Sequence, residues 1–313
     1  MMTNVSEVYS RGRWRQAAAL EVDAHTIVIT GKWLKLASVR SEAWLEAEIP
    51  NPDRCVSELI RQKGQIGCAD IFTFGQKLPD TGPKHSYPME WDSVAAIRLT
   101  SFDDWWKGLP QASRKNVRRA QKRGVMVSVR EFNDEIVNGL VELHGVSPLR
   151  QGKRNREFGK SFAELKKDHS SFLDRSDFIC AYFGDELIGL LKIVYCGQVA
   201  TILNLEPKAT HDDKRPGNAL IAKAVELCAA KGMAYVTYGR FNYGNKRGDA
   251  LQEFKIRNGF GEILVPRYYV PLTNWGWLCM KLRLHRGLLG VLPSRAIRLL
   301  LNSRAVWYDL LPK

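Results

Sequence analysis

The chain has 313 residues, 45% of them apolar, so a sizeable core is expected and a wholly disordered chain is excluded. Its formal net charge of +14 attracts phosphate-rich partners: a phosphorylated cofactor, RNA or an anionic membrane. Cys55, Cys68, Cys180, Cys196, Cys228 and Cys279 form no C-x-x-C pair and the six histidines are scattered, which points to buried thiols in a reducing compartment and argues no metal site.

The opening residues, MMTNVSEVYSRGRWRQ, hold no apolar h-region, and no apolar run reaches the ~18 residues of a spanning helix. A cytoplasmic protein is expected, with a peripheral position at the inner face of a membrane left open. In residues 1–104, Thr26–Thr30 reads as a strand, Gly31-Lys32 as a turn and LKLASVR as a second strand. Arg54–Lys63 reads as a short helix with Val56, Leu59 and Ile60 on one face. Ala69–Phe74 and Val94–Leu99 read as strands on either side of the loop KLPDTGPKHSYP.

Residues 105–124 read as a basic linking helix, with Pro110 suited to its first turn and Gly124 to its C-cap. From Lys107 to Arg123 there are seven basic residues and no acid, and Lys115, Arg118, Arg119 and Lys122 share one face. That face suits a polyanion or carboxylates elsewhere in the chain. Trp105 and Trp106 suit either stacking on a base or anchoring the helix to the core.

Residues 125–273 have a clearer rhythm. Val125–Phe132 alternates like a strand, and Asp134–Gly145 and Arg156–Asp174 read as helices. Three strands follow, DFICAYF, ELIGLLKIVY and VATILNL, joined at Gly184-Asp185 and Cys196-Gly197. Then come helix Pro216–Lys231, strand Ala234–Tyr238, helix Gly248–Asn258 and strand Ile263–Val270. The order predicts a mixed, mostly antiparallel sheet with helices on both faces. The tail, 274–313, carries Trp275 and Trp277 among leucines and seven basic residues. It suits an amphipathic helix on an anionic membrane or a helical hairpin broken at Pro293.

Three stretches resemble the Fem-type branch of the GNAT N-acyltransferase superfamily: LPQASRKNVRRAQKRGVMV, DDKRPGNALIAKAVELCAAKGMAYVTYGR and ALQEFKIRNGF. The resemblance implies an α/β GNAT fold in two halves, the N-terminal one reduced. It also implies acyl transfer to an amine, with acyl-CoA or aminoacyl-tRNA as donor. The acceptor would be a cell-envelope sugar, an amino acid or a lipid-linked intermediate.

Helix Pro216–Lys231 starts where the third meander strand ends, so its free amides and dipole suit an anion. Lys214 and Arg215 add charge there, and Gly217, Asn218 and Ala219 let a phosphate approach the backbone. Against the Q/R-x-x-G-x-G/A loop of a plain GNAT acetyltransferase this stretch has one glycine, and Pro216 lacks a donor. The resemblance adds Lys255 as a contact for donor phosphates or acidic substrate groups. Glu206, Tyr238, Tyr243 and Glu253 fall at strand ends or in the following loop and helix, and are candidates for the general acid or base. No Ser/His/Asp or Cys/His pattern is readable, so direct attack by the amine is the simpler scheme. A third reading is non-enzymatic: a GNAT-like scaffold binding nucleic acid or membrane through its basic faces.

Overall fold

The computed structural model describes residues 5–10, 13–150, 153–242 and 250–287. Strands β1 (Val5–Ser10), β2 (Arg13–Val22), β3 (His25–Thr30) and β4 (Leu36–Val39) form an antiparallel meander. Short helices α1 (Glu42–Leu45), α2 (Pro52–Arg61) and α3 (Lys63–Ile66) lead to β5 (Ile71–Gly75), which pairs parallel with β4. Strand β6 (Met89–Arg98) ends this unit.

Helices α4 (Phe102–Gly108) and α5 (Gln111–Lys122) follow, and then the plan repeats. Strand β7 (Val125–Arg130) precedes α6 (Asp134–Gly145), a two-residue ladder of β8 (Leu149–Arg150) and β9 (Lys153–Arg154), and α7 (Phe162–His169). Strands β10 (Ser176–Phe183), β11 (Glu186–Cys196) and β12 (Val199–Pro207) form a second meander, with β7 on its edge. Helix α8 (Pro216–Ala230) crosses to β13 (Tyr235–Arg240), parallel with β12. Helix α9 (Ala250–Arg257), β14 (Gly261–Pro271) and α10 (Asn274–Lys281) follow.

Both units are thus four antiparallel strands, a helical crossover and one parallel strand. The N-terminal unit is the reduced one, because nothing in it matches the α6–α7 pair. Each unit then lends its last strand to the other. Strand β6 pairs with β13, and β14 pairs with β5, so the twelve-stranded sheet runs β1-β2-β3-β4-β5-β14-β6-β13-β12-β11-β10-β7. The sheet is continuous across the boundaries expected at residues 104 and 125.

The second meander is covered on both faces because its sequence is apolar on both: β11 is buried from Leu187 to Val194. One face carries α4, α5 and α8, with Leu220, Ile221, Ala224 and Val225 of α8 fully buried against Leu191, Ile193 and Ala200. The other carries α6 and α7, with Leu140 and Leu165 against Phe178 and Leu190. Gly189 has a packing reason: a Cβ there would lie 3.0 Å from Leu220, so its absence lets the first turn of α8 press onto the sheet.

The expected helix Arg156–Asp174 is shorter, because Ser161 and Glu164 form a capping box that starts α7 at Phe162. Phe172, at φ 56°, turns the chain before β10. Strands β1 and β2 and helix α4 extend the expected elements. Trp105 anchors α4: it is buried, and its Nε1 donates to Asn258 O at 3.2 Å. Arg118 lies over Trp106 at 5.7 Å. Residues 288–313 of the tail lie outside the described residues. No described helix is long and apolar enough to cross a membrane.

Candidate active site

The parallel pairing of β12 and β13 is short. It joins Val199 to Tyr235, Ala200 to Val236 and Thr201 to Thr237, and there it stops. Both strands run on, β12 to Pro207 and β13 to Arg240, so they splay and open a wedge in the sheet. Its root is pinned by a 2.9 Å hydrogen bond between the Thr201 and Thr237 hydroxyls. Thr201 Oγ1 also lies 3.0 Å from the carbonyl of Trp44, which comes from the other unit. Trp44 has φ 68°, a costly conformation for a bulky residue, and Lys77 sits over its ring at 5.2 Å.

On the α8 side the wedge is floored by residues far apart in sequence. Gly217 in the first turn of α8 faces Phe254 and Pro207, each 3.7 Å from a Cβ position. Lys255 is fully buried: its Nζ donates to Arg240 O at 2.7 Å and sits 4.7 Å from the Tyr238 ring centre. Lysine is there because α9 lies across the open end of β13 and its ammonium satisfies a strand-end carbonyl. Lys255→Met keeps the volume but leaves that carbonyl without its charged donor, so a loss of about 2 kcal/mol is expected, read by urea unfolding. A surface role predicts no loss.

The amides at the start of α8 are partly engaged. Those of Asn218 and Ala219 point to Arg215 O at 3.2 and 3.4 Å. The Asn218 side chain is buried and donates to Asn258 Oδ1 at 2.9 Å, tying α8 to the end of α9. Ala219 is packed in the core. Arg215 is exposed in the left-handed conformation, and Lys214 lies 4.5 Å from the Phe183 ring centre and 3.7 Å from Asp213.

The α6–α7 side of the wedge is ionic. A bulge where Lys192 meets β12 shifts the register, so that Asn204 and Glu206 sit across from Lys192 and Leu190. Leu190 belongs to the core under α6 and α7, and Glu206 therefore points at those helices. Its Oε2 lies 3.0 Å from His144 Nε2 and 3.4 Å from His169 Nε2, while Oε1 accepts from Asn204 at 2.9 Å. Burial pushes the Glu206 carboxyl upward, but hydrogen bonds and charge from the two histidines outweigh it and hold it well below the ordinary range.

His169 Nδ1 faces Leu165 O at 2.9 Å. Both ring nitrogens thus face acceptors, which requires both to carry protons. Burial pulls this imidazole down, but Glu206 outweighs it and the net shift is upward, in keeping with an imidazolium. Lys192 is fully buried and donates to the carbonyls of His169, at 2.6 Å, and Ser171, capping the negative end of α7. Burial lowers its ammonium to about 8.

No protein-family model and no curated protein matches the sequence. Solved structures do match. FemX superimposes with a TM-score of 0.56 at 10% identity over 88% of this chain and 90% of that one. L-PGS from Bacillus licheniformis gives 0.55 at 13% identity over 88% and 89%. The C-terminal domain of a putative lysylphosphatidylglycerol synthetase from Agrobacterium fabrum gives 0.52 at 15% over 86% and 88%. The chain has the Fem-type fold.

Within this Fem-type fold, the expected site residues divide into groups. Lys214, Arg215, Gly217, Asn218, Ala219, Tyr238 and Lys255 gather around the α8 side of the wedge. Glu206 lies on the opposite face with His144, His169 and Lys192, which sequence reasoning did not select. Glu253 is exposed and 3.5 Å from Arg257, turned away from the wedge. Tyr243 lies outside the described residues. A signal for the missed groups exists: His144 lies in the last turn of the largely apolar α6, His169 ends α7, and Lys192 interrupts the most apolar strand.

The six cysteines form no disulfide; Cys55, Cys180, Cys228 and Cys279 are buried and Cys68 and Cys196 half-buried. Among the described residues no cluster of His, Cys, Asp and Glu could hold a metal.

Proposed function

We propose that this chain is an N-acyltransferase that moves an acyl or aminoacyl group from a phosphate-bearing donor to an amine. The splay of β12 and β13 carries the reading. A thioester or ester arm laid between the strands would meet backbone groups of residues 202–206 at the point where the ladder has ended. Its phosphates would then reach the start of α8, beside Lys214 and Arg215. For acyl-CoA the amine nitrogen attacks the thioester carbon, the amine proton passes to a base, the C–S bond breaks, and CoA leaves as a thiolate that takes up that proton. Positioning supplies most of the acceleration, and amides aimed at the developing oxyanion add to it.

Glu206 and His144 are the candidates for handling the proton. As the carboxylate is already hydrogen-bonded three times, its role is to orient His144, through which the proton would move, and to balance the charge of the His169 imidazolium. The Fem-type fold of the whole chain supports acyl or aminoacyl transfer, and the acceptor would be an amine of a cell-envelope sugar, an amino acid or a lipid-linked intermediate.

A second donor, aminoacyl-tRNA, is favoured by α5. Lys115, Arg119 and Lys122 are exposed on it and form no ion pair with a described residue, beside α8. The two donors separate by salt: binding of charged tRNA falls steeply with ionic strength, whereas acetyl-CoA binding falls shallowly. With the correct donor, Lys214→Ala with Arg215→Ala is expected to raise KM about tenfold or more at little change in kcat. Steady-state rates over an amine panel read this. Unchanged KM for both donors, or no turnover with either, overturns the reading and leaves a scaffold that binds through its basic faces.

A further inference from the structure

We propose that the outer face of α10, together with Trp33, docks onto an anionic lipid membrane. Helix α10 is apolar on two sides. Its inner side is fixed: Gly276 and Cys279 are buried, and Cys279 packs with Leu34 and Ile71. Thr273 caps the helix and its hydroxyl donates to Asp70 Oδ1 at 2.9 Å. Its outer side leaves Trp275 43%, Trp277 51%, Leu278 41% and, just beyond the helix, Leu282 54% exposed. The β3–β4 turn brings Trp33, 60% exposed, to the same place. Its ring centre lies 6.2 Å from that of Trp275, and Trp275 Nε1 donates to Trp33 O at 3.0 Å.

The patch is therefore assembled from both units of the fold and cannot be read from the tail alone. Its surroundings are cationic. Lys32, Lys35, Lys281 and Arg283 are exposed and pair with no described carboxylate. The acids within reach are engaged. Asp70 takes Thr273 and the Lys35 amide, and Glu90 takes His285 and Arg286.

Three exposed tryptophans and leucines ringed by lysine and arginine match the interfacial zone of a bilayer. There indole rings sit at headgroup depth and cations meet lipid phosphates. The surface is a convex helix rather than a groove, which suits a lipid plane better than a peptide. This inference stands on α10 and Trp33, and does not depend on the transfer chemistry.

Flotation of the full chain tests it, with vesicles of phosphatidylcholine alone and of phosphatidylcholine mixed with phosphatidylglycerol. The chain is expected to float with the anionic vesicles, weakly with the neutral ones, and less at high salt. Combining Trp33→Ser, Trp275→Ser and Trp277→Ser should reduce the bound fraction about tenfold. Lys281→Glu with Arg283→Glu should do the same by charge alone. Trp91→Ser, on β6 and also exposed, should change nothing. Circular dichroism confirms that the variants stay folded. No flotation, equal flotation with neutral vesicles, or binding that both variant sets leave intact overturns the proposal. A dimer that these variants dissociate, without vesicle binding, would assign the face to a second copy of the chain.

Discussion

Glu206→Leu is expected to lower the unfolding free energy by about 3–5 kcal/mol, because it strands buried positive charge. The carboxylate is the only described anion facing the His169 imidazolium, and Lys192 lies within the same cluster. Leucine would satisfy the volume but not the two histidine protons aimed at it. Glu206→Gln should cost less, since its carbonyl still accepts a hydrogen bond.

The pH dependence has a definite sign. The Glu206 carboxyl is depressed, so its contribution is present above the ordinary value of 4.5 and is lost as pH falls toward its low folded value. His169 is raised, so its contribution is complete below 6.5 and is lost as pH climbs through the raised folded value. The pair therefore stabilises most between those two ordinary values. Urea unfolding across pH should show both limbs in the parent and flattened limbs in Glu206→Gln. Identical profiles would mean that the cluster is not ionised as described.

Gly276→Ala is expected to cost about 3 kcal/mol, at the upper end for an overpacked site. A Cβ at this position would lie 2.0 Å from the carbonyl oxygen of Asp70 and 2.7 Å from its carbon, both backbone atoms. Neither can swing aside as a side chain could, so α10 must lift from β5 and pull Cys279 out of its apolar seat. Gly64→Ala is the control, because nothing lies within 4 Å of the Cβ it adds. Equal unfolding midpoints for the two variants would show that α10 is not seated on Asp70.

The elements that were legible in the sequence are those whose own residues decide them. Helix α6 begins and ends where its apolar periodicity and polar start placed it, and β10, β11 and β12 follow their apolar runs between glycine turns. Strand β2 was hidden because RWRQAAALEV mixes charge and alanine without alternation; it is a strand because β1 and β3 pair with it on both sides. The strand exchange was invisible for a similar reason. Nothing in β14 itself says that it will lie beside β5 rather than beside the strand preceding it.

The site was half legible. The resemblance pointed at Lys255, whose local pattern suits an exposed amphipathic helix equally well, and only the crossing of α9 over β13 shows that it is buried. His144 and His169 were passed over because neither has a partner nearby in sequence. A bulge in the β11–β12 pairing turns Glu206 toward both. Register shifts of that kind leave no mark on hydrophobic period.

The exchange of last strands also bears on how the molecule is made. As the chain emerges from the ribosome, the first meander and its parallel strand can assemble early, yet β5 then presents a bare edge. Strand β6 must wait for β13, and the place between β5 and β6 stays open until Gly261–Pro271 has been synthesised. For most of translation the nascent protein therefore carries unpaired strand edges, the surfaces most prone to non-native pairing. Closure depends on contacts between residues nearly two hundred positions apart, such as Tyr268 with Phe74, which makes it a late and slow event.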